Sequence, residues 1–386
     1  MASLSKRVTK TGLVRWVVRY RTPDGESREK AFTKQNTDTP AKDARDFMAT
    51  VETSKLDGSF IDRRRSAVTV GEWSTRWLDS KTSLAKSTRS RYEDIDRKWI
   101  QPRWAAVQLG KVTHEDVQEW VASLSLQLAP ASVRKVHRNL SQVFDYAVKS
   151  RRLAFNPARD IDLPHVEAAE KRYLSHEQVA TLAAEVGDDW RLVVTFLAYT
   201  GLRWGELAAL RVRDIDLERR RATVCQSYSP VRGRMVLTDT KGHERRDVPI
   251  PRFLVDDLTA QLAGKTPDGL AFTGPKGAVL RSQTLRQVAF PQASKVLGID
   301  PPLTPHELRH TAASLAIASG ADVKIIQQML GHKSATMTLD LYGHLFADRL
   351  DVVADAMDAA RGAALRSRVD SVLTSSGDAS KATENP

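Results

Sequence analysis

LTPHELRHTAASL, residues 303–315, carries His306, Arg309 and His310 at the start of an expected helix. Thr304 fits the N-cap, Pro305 the first helical position, and Glu307 the third, where a carboxylate completes a capping box. His306 and Arg309 are then i, i+3 neighbours in the first turn. Backbone N–H groups and the positive end of the helix dipole lie beside them, which suits an anion, most simply a phosphate. A plain solvated helix start would use the same residues, so the rest of the chain must decide between the two.

The chain has 386 residues, room for two or three domains and a large core. Lys+Arg exceed Asp+Glu by 59 − 47, a net charge of +12, and the pI is near 9.8. Such a balance favours a polyanionic partner without separating DNA, RNA and anionic membrane. No apolar run is long enough to span a bilayer, and no signal-peptide pattern opens the chain, so no membrane association is expected. Cys225 is the only cysteine, which rules out an intramolecular disulfide and argues against a cysteine-based zinc site. The expected setting is a reducing cytoplasm.

Three blocks and a tail are predicted, mostly α with small β-sheets. Residues 1–65 form a three-stranded sheet plus helix, in which VRWVVRYRTPDGESREKAF is a hairpin turning at Pro23-Asp24-Gly25. Alternation puts Arg15, Arg19 and Arg21 on one face with Val17, and Trp16, Val18 and Tyr20 on the other. The helix TPAKDARDFMATVETSKL, with Thr39 as N-cap, covers the apolar face through Phe47 and Val51. The basic face could enter a major groove or simply face water. Residues 66–165 form a helical bundle, with helices in VGEWSTRWLDSK, STRSRYEDIDRKWI, THEDVQEWVASL and PASVRKVHRNLSQVFDYAVKS. In the last of these Val133, Val136, Leu140, Val143 and Ala147 are the apolar stripe, and Arg134, Lys135 and Arg138 face outward, able to hold phosphates. Trp73, Trp77, Trp99 and Trp120 fall on the apolar stripes and belong to the core. Basic DGSFIDRRRSA and the Pro157/Pro164 segment are linkers. Residues 166–365 form an α+β domain with strands in RATVCQSYS, RMVLTDT and ERRDVPI, and 366–386 are an expected disordered tail.

The α+β block holds four motifs with polar groups at marked places. TGLRWGELAAL breaks an apolar helix at Thr200-Gly201 and sets Arg203 and Glu206 at i, i+3. TDTKGHERRDVPI puts Lys241 in a Lys-Gly turn between strands, and Lys276 in TGPKGAV is a similar glycine-flanked lysine. QQMLGHKSATMTLDLYGHL ends a helix at Gly331, presents His332, and starts a short helix near Ser334 that finishes at Tyr342. Singly each has an ordinary explanation: a surface ion pair, a turn lysine, a helix-ending histidine, a core aromatic. Together they match phosphoryl transfer without metal. Two arginines can fork onto non-bridging phosphate oxygens. A tyrosine can hold the phosphoryl group covalently. A lysine or histidine can protonate the leaving oxygen.

Arg203 in TGLRWGEL, the HELRHT box and the LGHKSATMTLDLYGH terminus resemble the tyrosine recombinase signature, Arg, Lys, His-x-x-Arg, His, Tyr. The two preceding blocks are similar to the core-binding helical domain and the small arm-binding domain of temperate-phage integrases. The resemblance implies an integrase of a phage or other mobile element that cleaves and rejoins DNA through a 3′-phosphotyrosyl bond. It implies that Tyr342 is the nucleophile, that Arg203 and Arg309 clamp the phosphate, that Lys241 is the general acid, and that His306 and His332 assist. Glu206 would orient Arg203. It further implies double-stranded attachment sites, a tetramer on DNA with each C-terminal segment docked on a neighbour, a host bending factor and an excisionase. No metal, ATP or other cofactor is expected, since the phosphotyrosyl bond conserves the ester's energy, and the work would be done at the bacterial nucleoid. The rivals are a Xer-like or transposon resolvase, a type IB topoisomerase, and a non-catalytic architectural DNA-binding protein. Block one argues against the resolvases, and the intact six-residue set against the architectural protein.

Overall fold

A computed structural model describes residues 2–22, 25–56, 60–61, 64–167, 171–239, 245–349 and 353–366. Lys241, most of the tail, Pro23-Asp24 of the hairpin turn and parts of both linkers therefore lie outside the described residues. The chain divides into two compact units, Met1–Ala168 and Ala169–Pro386.

The first unit opens with strands β1 (Ser3–Val8), β2 (Val14–Arg21) and β3 (Ser27–Phe32), antiparallel in that order. Helix α1 (Pro40–Leu56) covers one face, where Val18, Phe32 and Ala44 are buried among Trp16, Tyr20, Phe47 and Met48. Val17, expected on the open basic face, is nonetheless only 4% exposed. It lies between Ser5 and Ala31 across the sheet and between Arg15 and Arg19 along its own strand, so long aliphatic stems can shade it.

The rest of this unit is helical: α2 (Val70–Asp79), α3 (Lys86–Ile95), α4 (Gln101–Trp104), α5 (His114–Ser125) and α6 (Pro130–Lys149). The single helix expected over 87–100 instead widens into a π-turn at Asp96–Ile100 before α4. Pro102 lacks the N–H that would bond back into the preceding turn, which favours such a break. Trp73, Trp77, Trp104 and Trp120 are buried with the predicted stripe of α6, and Trp99 packs partly buried at the edge. Asn139 is 1% exposed in this core, and neither of its amide atoms finds a hydrogen-bond partner among the described residues. Asn139→Leu, which keeps the side chain's branched shape and removes both polar atoms, is expected to stabilise the protein by about 1–3 kcal/mol, read as a higher urea midpoint.

The second unit runs α7 (His176–Glu185), α8 (Asp188–Thr200), α9 (Trp204–Ala209), β4 (Ile215–Asp216), β5 (Arg221–Val224), β6 (Gln226–Val231), β7 (Arg234–Asp239) and β8 (Arg246–Pro249). It continues with α10 (Val255–Leu262), α11 (Ser282–Thr284), α12 (Phe290–Val296), α13 (Pro305–Ala318), α14 (Val323–Leu330) and α15 (Ala335–Tyr342). A further helix covers 353–366. The stretch RATVCQSYS, expected as one strand, is two, divided at Cys225: β5 joins a sheet in the order β4-β5-β8, while β6 pairs with β7. Apolar α8 is buried against α7 and α13, which brings the ends of α8, α13 and α14 together. No described helix is long and apolar enough to cross a membrane.

Candidate active site

Helix α8 ends at Thr200 because Gly201 adopts the left-handed conformation, φ +67°, of a C-cap. A Cβ there would also come within 2.7 Å of Leu330 Cδ2, so any other residue would have to displace that side chain as well as adopt the left-handed backbone. Arg203 follows as the N-cap of α9. Its backbone N–H donates to Glu206 Oε2 at 2.8 Å and its Nη1 to Glu206 Oε1 at 2.9 Å. The Arg203 side chain remains 44% exposed, held at one edge and open at the other.

Glu206 is only 3% exposed, so its charge must be balanced inside the protein. Arg246 supplies most of that balance. Its Nη1 and Nη2 donate to Oε1 and Oε2 of Glu206 at 3.1 and 2.6 Å, and its Nε donates to the Met329 carbonyl at 3.2 Å. Burial alone would raise the Glu206 carboxyl, but the Arg246 hydrogen bonds and charge, then Arg203, outweigh it and hold the pKa below the ordinary value. Glu206 is thus bonded to Arg203 and is itself shared with Arg246, an arginine to which the sequence assigned no part. Gly331, at φ +62°, caps α14, and a Cβ on it would stand 3.0 Å from Cδ and Nε of Arg246. A signal for Arg246 was present: it alternates with Val248 and Ile250, both buried, and an arginine on the buried face of a strand needs a carboxylate.

The contribution of Glu206 to stability is complete above the unfolded-state pKa near 4.5 and fades as pH falls through its depressed folded value. Glu206→Gln is therefore expected to lower stability at neutral pH and to flatten the stability profile below about pH 4.5, measured by urea unfolding across pH.

Helix α13 begins as predicted, with the Thr304 N–H donating to Glu307 Oε2 at 2.7 Å. Arg309 is 3% exposed, and its Nη1 donates to the Gly201 carbonyl at 2.8 Å while Nη2 donates to the Leu330 carbonyl. One guanidinium thereby ties together the ends of α8 and α14. Burial first, then the nearby Arg203, pushes Arg309 down to about 9, still protonated at neutral pH.

His332 follows Gly331, 8% exposed, with Nδ1 at 3.0 Å from Thr338 Oγ1. Burial, then Arg309, Arg203 and Arg246, push it down to about 4. The Tyr342 ring lies parallel to it, centroids 6.4 Å apart and planes 4° apart. Tyr342 ends α15, whose N-cap Ser334 accepts the Met337 N–H at 3.3 Å. Tyr342 is 1% exposed, and burial raises its phenol to about 12, with Arg309 pulling the other way. Its hydroxyl meets His310 Nδ1 at 2.8 Å. His306 stays accessible with its ring edge-on to His310, centroids 4.9 Å apart. Partial desolvation, then Arg309 and Arg203, lowers its pKa. The result is a patch of fixed cations beside neutral imidazoles and a phenol, suited to receive a phosphate and move protons around it.

The structure thus links Arg203, Glu206, His306, Arg309, His332 and Tyr342 through one set of contacts. Residues 171–174 fasten the same region: Lys171 Nζ donates to the Leu341 carbonyl at 2.8 Å, the Leu174 N–H to Thr311 Oγ1 at 3.2 Å, and Tyr173 Oη meets His344 Nε2 at 3.2 Å. Lys241 lies outside the described residues. Lys276 sits exposed in a turn at φ +57°. In the first unit Arg15, Arg19 and Arg21 are exposed on β2, with Arg19 bonded to Glu29 at 3.1 Å. Arg134, Lys135 and Arg138 are exposed on α6, with Arg134 Nε donating to the Pro164 carbonyl at 2.8 Å. Among the described residues no group of three or more His, Cys, Asp or Glu side chains could hold a metal ion.

Residues 172–349 match the model of the phage integrase family, and residues 70–163 that of the phage integrase central domain. The integrase of Mycobacterium phage FRAT1 is 30% identical over 286 residues, 71% of this chain and 83% of that protein. The Tn1549 transposon integrase, solved in complex with a circular intermediate DNA, superposes with a TM-score of 0.64 at 20% identity, covering 76% of this chain and 99% of that one. A lambda integrase tetramer bound to a Holliday junction gives a TM-score of 0.56 at 19% identity, over 87% of this chain and 94% of that one.

Proposed function

The chain belongs to the phage integrase family and is a site-specific tyrosine recombinase, and we propose that it cuts and rejoins DNA through a 3′-phosphotyrosyl intermediate to integrate phage or mobile-element DNA into a host chromosome. With accessory factors it excises the same DNA. The observation that best supports this chemistry is the Tyr342 hydroxyl held on a histidine, within the electrostatic reach of a buried Arg309. Tyr342 attacks the scissile phosphorus, and the departing strand leaves with a 5′-hydroxyl. Arg203 and Arg309 hold the non-bridging oxygens, where transition-state charge develops and fixed cationic donors act most strongly. Glu206 and Arg246 keep Arg203 and the β8–α14 junction in register. Lys241 gives the leaving O5′ its proton, and His306 and His332 assist. The phosphotyrosyl ester retains the energy of the broken bond, so religation draws on neither ATP nor metal.

Residues 66–165 grip the core site, and residues 1–65 bind a second, arm-type site through Arg15, Arg19 and Arg21. Arg134, Lys135 and Arg138 hold phosphates of the core site. Four copies assemble on DNA, as in the lambda integrase tetramer, in the cytoplasm of a bacterial host. The test is a nicked suicide DNA substrate carrying the attachment core. The expected result is an SDS-resistant adduct mapped by mass spectrometry to Tyr342, and its absence on a bound substrate would refute the reading.

A further inference from the structure

The family signature leaves one histidine of the HELRHT box without a role, yet that side chain touches the nucleophile. His310 Nδ1 lies 2.8 Å from Tyr342 Oη. The hydroxyl is on a residue 1% exposed, so bulk water is poorly placed to take its proton. The other polar neighbours are ill suited. His332 turns its Nδ1 to Thr338 and stacks parallel to the phenol ring, Arg309 and Lys171 are donors engaged with backbone carbonyls, and His306 reaches the phenol only by way of the His310 ring. We propose that His310 is the proton acceptor for the Tyr342 hydroxyl, with His306 beside it as the way out to solvent. This rests on the reading of Tyr342 as nucleophile.

Every element packed around His310 bears on its protonation. Burial, then His306, Lys171 from the segment before α7, and Arg309 push it down to about 4, with Glu307 opposing. His332 and Tyr342 complete its surroundings. A neutral imidazole protonated on Nε2 offers Nδ1 as a lone pair, which the phenolic O–H meets as donor. In the cleavage step the Oη–P bond forms as the P–O5′ bond breaks. The phenolic proton passes to His310 Nδ1, and O5′ leaves with its electron pair and takes a proton from the general acid. Religation runs the same transfers backwards, so His310 returns its proton to Oη. Helix α13 therefore carries both the phosphate clamp, Arg309, and the base, His310, on adjacent positions.

The test is single-turnover adduct formation on the suicide substrate, comparing tyrosine with the more acidic 3,5-difluorotyrosine at position 342, each with His310 and with His310→Ala. The expected loss for His310→Ala with ordinary tyrosine is about 10²–10⁴-fold. With difluorotyrosine the penalty should shrink by about tenfold or more, because an acidic phenol needs less help from a base. Unfolding and DNA-binding measurements accompany each variant, and His310→Asn carries the same comparison if the alanine variant does not fold. A rate for His310→Ala equal to or above that of the parent overturns the proposal, the faster case making His310 a clasp that parks the tyrosine. So does a penalty that fluorination leaves unchanged, which a purely positioning histidine would give. If the parent protein itself forms no adduct at Tyr342, the assignment of the nucleophile falls first, and the two failures are told apart.

Discussion

Tyr342→Phe abolishes covalent attachment to DNA while specific DNA binding stays within about twofold, because the substitution removes one oxygen and leaves the ring. The ring is what packs: it is buried with Ala313, Ile317, Ile326 and Leu330. Only the hydrogen bond to His310 is lost, at a cost in stability of about 1 kcal/mol. Adduct detected by denaturing gel after incubation with the suicide substrate should fall below the limit of measurement. Adduct at the parent level would instead direct attention to Tyr199 or Tyr228. Of the two, Tyr199 offers a similar arrangement, its hydroxyl lying 2.7 Å from His176 Nδ1.

Arg309→Ala should lose about 10²–10³-fold or more in the cleavage rate, the scale of removing one preorganised donor from a developing oxyanion. The loss has a second source here. Arg309 is the shared partner of the Gly201 and Leu330 carbonyls, so alanine also loosens the junction that positions Arg203 and His332. A 5′-phosphorothiolate substrate separates its role from acid catalysis. Sulfur leaves without a proton, so Lys241→Ala should be slow on normal DNA and restored on sulfur, whereas Arg309→Ala stays slow on both. Rescue of Lys276→Ala rather than Lys241→Ala would move the acid to the other lysine, and rescue of Arg309→Ala would remove it from the clamp. Arg309→Lys, which keeps charge but not the planar fork, should fall between the two.

The elements that the sequence made legible are those whose signals are local. The Thr304 cap and Pro305 start of α13, the left-handed glycines 201 and 331, the apolar stripe of α6 and the Ser334 start of α15 all depend on neighbours within one or two helical turns, and they stand where expected. The five described members of the signature were legible for a related reason: each sits at or near a helix end marked by a glycine, proline or cap. The break at Cys225 was not, because which strand pairs with which depends on partners far along the chain, and β5 finds β8 rather than β7.

Composition and spacing by themselves showed a basic, mostly helical protein whose last large block carries arginines, histidines and a tyrosine of the kinds that phosphoryl transfer uses. Tertiary structure alone decided how those groups are connected. The buried carboxylate of Glu206 draws Arg246 onto itself from a strand 40 residues away in sequence. Arg309 closes on two carbonyls 108 and 21 residues distant. Tyr342 finds His310 rather than either histidine of the signature. The physical reason is the same in each case. A buried charge or hydroxyl must be satisfied by whatever the packing brings within 3 Å or so, and that choice is made by α8, α9, β8, α13, α14 and α15 meeting in space, not by the residues beside it in the chain.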